Sequence, residues 1–247
     1  MTFESIIQAI SKKPYYQDDA VVIYHADNRD ILPLIPDKGV DLVLTDPPYG
    51  IGLDTEYGKF MNSKSYQEVV GDAIGFDPSQ LLKLDTDLIV WGANNFASKL
   101  PDYGGWLAWF KTRRNDTHIR QAEMELAWTN CIKRSQAYRY TWIGAYRESG
   151  EDIGYCHPCQ KPLSLMKWTL NLMPDAKVIL DPYMGVGSSI MAGKLLGRKC
   201  IGIEIEEKYC EIAAKRCSQS VMSLNTELVK VEEQEPFIYW DSLPPNP

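Results

Sequence analysis

With 247 residues, 45% of them hydrophobic and 24% charged, the chain has the length of one large α/β domain and an ordinary globular composition. Collagen-like, coiled-coil and wholly disordered architectures are excluded, and no apolar run reaches the roughly 18–20 residues that a membrane-spanning helix needs. The formal charge of −7 argues against a nucleic-acid binder that is basic all over, but residues 111–147 reverse the balance, with eight Lys and Arg against three acids.

The opening stretch, MTFESIIQAISKKPYYQDD, has neither the long apolar core nor the cleavage site of a secretory signal. That predicts a cytoplasmic chain whose six cysteines stay reduced. Residues 20–26 (AVVIYHA) and 40–45 (VDLVLT) are β-branched runs that predict buried strands, the second ended by the turn chemistry of DPPYG. Residues 51–76 are glycine-rich with few large aliphatics and read as a loop. Further strands are predicted at 84–92, 104–111, 177–181 and 200–205, with helices at 163–173, 188–197 and 207–217. Strands alternating with helices imply a mostly parallel, twisted sheet covered on both faces. The expected organisation is one domain over 1–217, made of a catalytic half (20–110), a basic insertion (111–155) and a cofactor half (156–217). An acidic tail follows at 218–247.

KVILDPYMGVGSS, a helix and CIGIEIE make a βαβ unit with a glycine-rich first turn. Gly185 and Gly187 would let the backbone approach a ligand where any Cβ would clash. Glu204 ends the next strand, 19 residues after Gly185, where an acid can accept hydrogen bonds from the two hydroxyls of a ribose. A dinucleotide fingerprint would place a third glycine at position 190, where Ile190 stands, and Gly193-Lys194 is followed by Leu195, which excludes a P-loop. Asp181, at a strand's carboxyl end, would repel a pyrophosphate but suits a cation. S-adenosylmethionine carries a ribose, an ammonium and a sulfonium but no phosphate, and fits such a crevice best.

Asp46-Pro47-Pro48-Tyr49 follows directly on the VDLVLT strand. The prolines stiffen the turn and donate no N–H, so the local backbone offers acceptors without competing donors. One carboxylate and one ring on such a platform suit the exocyclic amine of a nucleobase. With one amine hydrogen on Asp46 and one on the Pro47 carbonyl, the nitrogen is drawn towards a tetrahedral shape that frees its lone pair. Asp46 and the face of Tyr49 would stabilise the positive charge left after attack on a methyl sulfonium. The plainer alternative is an ordinary Asp-Pro-Pro turn.

Together these features resemble the β-class, permuted DNA amino-methyltransferases that use S-adenosylmethionine. DPPY at 46–49 is similar to their catalytic motif, and LDPYMGVGSS (180–189) to their methionine-binding loop. HPCQKP (157–162) is similar to the HPxQKP segment that completes the cofactor pocket. The resemblance thus implies catalytic Asp46, Pro47, Pro48 and Tyr49. It implies cofactor contacts at His157, Lys161, Pro162, Asp181, Pro182, Gly185, Gly187, Ser188 and Glu204, and at Asp27 near the adenine. The implied fold is a Rossmann-like methyltransferase sheet in which AVVIYHAD, from the far end of the chain, supplies the strand beside CIGIEI. DPPY is the form usual for adenine N6, whereas cytosine-N4 enzymes more often carry Ser at the position of Asp46.

The substrate implied is double-stranded DNA with a flipped base. The resemblance admits a homodimer and a cognate restriction endonuclease acting on the same site. Lys111, Arg113, Arg114, Arg120, Lys133, Arg134 and Arg139 are the expected DNA contacts, and the aromatics among them stand equally as stacking groups or as core. Cys156-His157-Pro158-Cys159 lacks two further ligands at a zinc spacing, so no metal is expected. Amino-methylation of cytosine N4 or of RNA is the nearest rival. A non-catalytic DNA-binding protein on the same fold is opposed by the intact motifs, and a nicotinamide oxidoreductase by Ile190.

Overall fold

A computed structural model describes residues 1–50, 74–112, 122–143, 146–147 and 160–219. The parallel strands form where β-branched and aliphatic runs occur: β2 (Val21–His25), β3 (Leu42–Thr45), β4 (Asp87–Trp91), β10 (Val178–Asp181) and β11 (Lys199–Glu204). Around them lie β1 (Tyr16–Gln17), β5 (Gly105–Phe110), β6 (Met124–Thr129) and β7 (Gln136–Arg139). These nine strands form one sheet in the order β1-β2-β11-β10-β3-β4-β6-β5-β7, and a separate short pair joins β8 (Trp142–Ile143) to β9 (Tyr146–Arg147).

The central five strands are mutually parallel. Their register aligns Val22, Ile201, Leu180, Val43 and Leu88 in one transverse row. Because side chains alternate in direction along a strand, this row faces one layer and the next faces the other. The first row packs against Phe3, Ile6 and Ile10 of α1 (Phe3–Ile10), Ile31 of α2 (Asn28–Ile31) and Leu81 of α3 (Ser79–Leu82). The opposite row, with Val21, Cys200, Ile179 and Leu42, packs against α4 (Leu163–Asn171), α5 (Ser188–Leu195) and α6 (Glu207–Gln219). The sheet is therefore covered on both sides, as the strand–helix alternation predicts.

Strand β2 pairs in parallel with β11, so a strand from early in the chain completes the sheet beside the βαβ unit of β10 and β11. Two features go beyond the expectations from sequence. The opening residues, read only for what signal they lack, form α1, whose apolar Phe3, Ile6 and Ile10 recur at helical spacing; the Thr2 side chain accepts from Ser5 N at its start. The interval 111–155 is not wholly an insertion. Strand β6 runs antiparallel between β4 and β5, and β7 extends the same sheet. Trp128 of β6 is buried at 1% exposure and Tyr140 and Trp142 are also buried, so these aromatics belong to the core. Among the described residues no helix is long and apolar enough to cross a membrane.

Candidate active site

The direction in which successive strands are added across the sheet reverses between β10 and β3. From β10 the chain passes outward through α5 to β11, and from β3 it passes outward the other way to β4. In open parallel sheets the crevice at the carboxyl ends beside such a reversal is the usual ligand site. Asp46, Asp181 and Glu204 all stand at carboxyl ends here, on or directly after β3, β10 and β11. A hydrogen bond bridges the reversal itself, Thr45 Oγ1 donating to Asp181 Oδ1 at 2.7 Å.

The DPPY turn is tightly held. Pro47 is buried, Pro48 and Tyr49 are half-buried, and the Tyr49 hydroxyl donates to Asp46 Oδ1. Lys161 Nζ donates to Asp46 Oδ2 at 2.6 Å and to the Tyr49 oxygen at 2.9 Å. Burial pushes the Asp46 carboxyl above its ordinary range, and the Lys161 ammonium is the chief influence pulling it back. The phenol of Tyr49 is raised well above its usual value, first by burial and then by Asp46. Lys161 is held charged by the same carboxylate, by Glu125 and by Tyr49, against its own desolvation. The geometry thus places the Lys161 ammonium against the DPPY turn. Pro162 begins α4 in extended conformation, which aims Lys161 inward.

Asp181 is buried at 4% exposure. It accepts hydrogen bonds from Thr45, from Tyr183 N at 3.0 Å and from Ser189 Oγ. Burial pushes its carboxyl up to about 6, with those hydrogen bonds opposing and Asp46 adding to the rise. Glu204 Oε2 accepts from Gly185 N at 3.0 Å and Oε1 from Glu206 N at 2.8 Å, while burial raises its carboxyl. Each of its oxygens keeps a lone pair for a further donor.

The loop's two glycines differ. Gly185 (φ +51) has nothing within 4 Å of where a Cβ would stand, leaving open space above the backbone. Gly187 (φ +78) precedes α5, and a Cβ there would meet Ala213 and Ile190 at 3.0–3.1 Å. Gly187 is thus required by helix packing and by a left-handed turn. Ser188 Oγ is buried and has no hydrogen-bond partner among the described residues. Asp27 caps α2 and pairs with Arg29, which holds its carboxyl below the ordinary range. Its neighbour Asn28 donates to the carbonyl of Pro182 at 3.2 Å, tying this segment to the glycine loop.

Of the basic side chains, Lys133, Arg134 and Arg139 are exposed, Arg139 lying over the Phe110 ring at 4.1 Å. Lys111 is ion-paired within the protein. It is 15% exposed and its Nζ lies 2.7 Å from Glu125 Oε1, because β5 and β6 bring the two side by side. His157, Arg113, Arg114 and Arg120 lie outside the described residues, as do Cys156 and Cys159. Among the described residues no group of three or more His, Cys, Asp or Glu is placed to hold a metal ion.

Sequence reasoning missed two residues of the site. Glu125, read only as one acid inside a basic stretch, stands 3.0 Å from Lys161 Nζ. Gly92, directly after β4, leaves room for the Tyr49 ring. Neither has a local signal, since each acts on a residue distant in sequence.

A model of the DNA methylase family that acts on N6 or N4 amines matches residues 84–215, more than half of the chain. The chain belongs to this DNA methylase family. Its similarity to individual methylases is spread along the chain. It is 24% identical over 252 residues to the Type II methyltransferase M2.LlaDCHI of Lactococcus lactis subsp. cremoris, covering 84% of this chain and 93% of that one. To the Type II methyltransferase M.HinfI of Haemophilus influenzae it is 26% identical, covering 87% and 74%. In fold it is similar to the PvuII DNA methyltransferase (cytosine-N4-specific), with 17% identity, a TM-score of 0.54 and coverage of 83% and 89%. The Rossmann-like methyltransferase architecture expected from the sequence is the one this methylase has.

Proposed function

We propose that this methylase transfers a methyl group from S-adenosylmethionine to the N6 amine of an adenine flipped out of duplex DNA. The observation that carries the reading is the pairing of two acids across the chain reversal: Asp46 on the stiff DPPY turn, and Asp181 below the glycine loop. The residues present fit the donor. Space lies over Gly185, the Ser188 hydroxyl has no partner among the described residues, and Asp181 is an anion that accepts from the neutral groups of Thr45, Tyr183 and Ser189. Glu204 would take the ribose hydroxyls, Asp181 would face the cationic end, and Pro182, Gly185 and Ser188 would line the pocket, with Asp27 at the adenine. His157 is assigned to the pocket by its motif alone.

When bound, the donor supplies a methyl carbon on a sulfonium sulfur, which departs as a neutral thioether with the bonding pair. Asp46 and the Pro47 carbonyl accept the two amine hydrogens and leave the nitrogen lone pair free to form the new N–C bond. Asp46 then balances the positive charge on nitrogen until one N–H proton is lost to solvent. Pro48 stiffens the turn and Tyr49 offers its ring to the base. Exposed Lys133, Arg134 and Arg139, with Arg113, Arg114 and Arg120, are assigned to the DNA backbone. Similarity to Type II methyltransferases makes a restriction endonuclease cutting the same sequence, and a second copy of this chain, the partners to test.

Expression in a host free of DNA methylation, followed by modification-sensitive sequencing, tests the reading. N6-methyladenine at a fixed sequence is expected. N4-methylcytosine would transfer the same chemistry to the other base, and unmodified DNA from folded protein would refute the assignment.

A further inference from the structure

Four side chains of alternating charge lead from the sheet to the DPPY turn. Lys111 Nζ lies 2.7 Å from Glu125 Oε1, Lys161 Nζ 3.0 Å from Glu125 Oε2, and Lys161 Nζ 2.6 Å from Asp46 Oδ2. The pairs are secluded, with side-chain exposures of 15%, 20%, 7% and 15% from Lys111 to Asp46. Burying such pairs is costly, and apolar residues of like volume often serve stability as well. Here the row ends on the one carboxylate assigned to the target amine. Lys161 donates hydrogen bonds to Asp46 and Tyr49, and its third side is met by Glu125 as an ion pair. With Tyr49 on Oδ1 and Lys161 on Oδ2, the orientation of the Asp46 carboxylate is set from both sides.

We propose that Lys161 is a positioning residue for methyl transfer: clamped between Glu125 and Asp46, it keeps the Asp46 carboxylate ionised and correctly aimed. The inference rests on the reading of Asp46 as acceptor of the target amine. When the amine arrives, one Lys161 N–H gives way to it, and Glu125 retains the ammonium. Among the described residues, the charged and titratable groups facing Asp46 are Lys161, Glu125, Tyr49 and, from β10, Asp181. Lys161 favours the ionised carboxylate by its charge, whereas Glu125 opposes it. Substitutions at the two positions should therefore move Asp46 in opposite directions. A cofactor contact or a purely structural lysine would produce no such pattern.

The test is the pH profile of methyl incorporation into duplex DNA between about pH 6 and 9.5, with equilibrium binding of S-adenosylmethionine measured alongside. In Lys161→Met the acid limb of the profile should rise by about 1–3 pH units, so that activity lost at neutral pH returns in alkali. Lys161→Arg, which keeps the charge, should keep the parent limb. Glu125→Gln should move the limb to lower pH. Cofactor affinity should stay within about threefold of the parent in all three, since each acts on the amine side. A Lys161→Met profile parallel to the parent overturns the inference, as does a Lys161→Met protein that loses cofactor binding instead. Should Lys161→Met fail to fold, an unmoved limb in Glu125→Gln overturns it equally. Asp46→Ala separates the two roles. If it stays active the reading of Asp46 itself falls; if it is inactive while the Lys161→Met profile stays parallel, only the role of Lys161 falls.

Discussion

The ring of Tyr49 lies so close to Gly92 that no side chain fits between them: a Cβ built on Gly92 would stand 1.8 Å from Tyr49 Cε1. Gly92 also has φ +71, a left-handed conformation that disfavours any L side chain. The end of β4 thereby sets the position of an aromatic ring that belongs to the turn after β3. Gly92→Ala should displace the ring and, through its hydroxyl, the Asp46 carboxylate. Because misplacement by about 1 Å can cost about 10²-fold in rate, methyl transfer should fall by that order. Cofactor affinity should be little changed, since Gly185, Ser188 and Glu204 lie on the loop after β10, on α5 and on β11, away from β4. Steady-state kinetics and calorimetry on the same preparation check both halves.

The amine and cofactor sites should separate under mutation. Asp46→Ala removes an acceptor that strengthens as charge develops, and should lower the rate by about 10²–10³ with cofactor binding largely intact. Glu204→Ala should weaken cofactor binding by about 1.5–3 kcal/mol, the worth of a charged hydrogen bond, with turnover partly restored at saturating donor. Equilibrium binding and methyl incorporation, measured side by side, distinguish them. Near-parent turnover in Asp46→Ala would leave DPPY as a structural turn.

Asp181 carries a prediction about pH. Its carboxyl is raised from an ordinary value near 4 to about 6 by burial, so the native state holds this proton more tightly than the unfolded chain does. Stability from this group is complete at low pH and is lost as pH rises through about 6. A shift of about two units corresponds to about 3 kcal/mol. Asp181→Asn keeps an acceptor for Thr45, and the Ser189 hydroxyl can turn to accept from the new amide. It should therefore melt higher than the parent at pH 8 and alike at pH 4. Loss of the anion should also weaken binding of the cationic donor, and parent affinity should fall, as pH drops through about 6, more steeply than that of Asp181→Asn. Thermal melts and calorimetry at both ends of the range decide it.

DNA affinity should fall steeply with salt, because Lys and Arg release counterions condensed on the phosphates. Neutralising Arg113, Arg114, Lys133 and Arg134 together should flatten the plot of log affinity against log salt by about 0.9 for each phosphate left without its cation. Lys111→Met should leave the slope unchanged, since that lysine is committed to Glu125. Fluorescence anisotropy with a labelled duplex at several salt concentrations measures both. An unaltered slope in the quadruple variant would move the docking surface elsewhere.

The strands, the motifs and their order are all legible in the amino-acid sequence. β-branched runs such as VVIYH and LVLT can hardly do other than form buried strands, and the Pro-Pro turn and the glycine loop act through local backbone geometry. The place of β2 beside β11 is legible too, because the βαβ unit lacks a third strand and the other end of the chain supplies one. What the long-range charges do is settled only once the chain has folded. Lys161 belongs to a motif linked with the cofactor pocket, yet its ammonium reaches Asp46, 115 residues earlier. Glu125 and Lys111 look like members of a DNA-facing basic stretch until β5 and β6 pair and turn them towards the same site. Gly92 is one more glycine at a strand end until the Tyr49 ring is seen against it. Backbone conformation is settled over a few neighbouring residues, whereas an ion pair or a steric gap depends on which distant segments the sheet brings together.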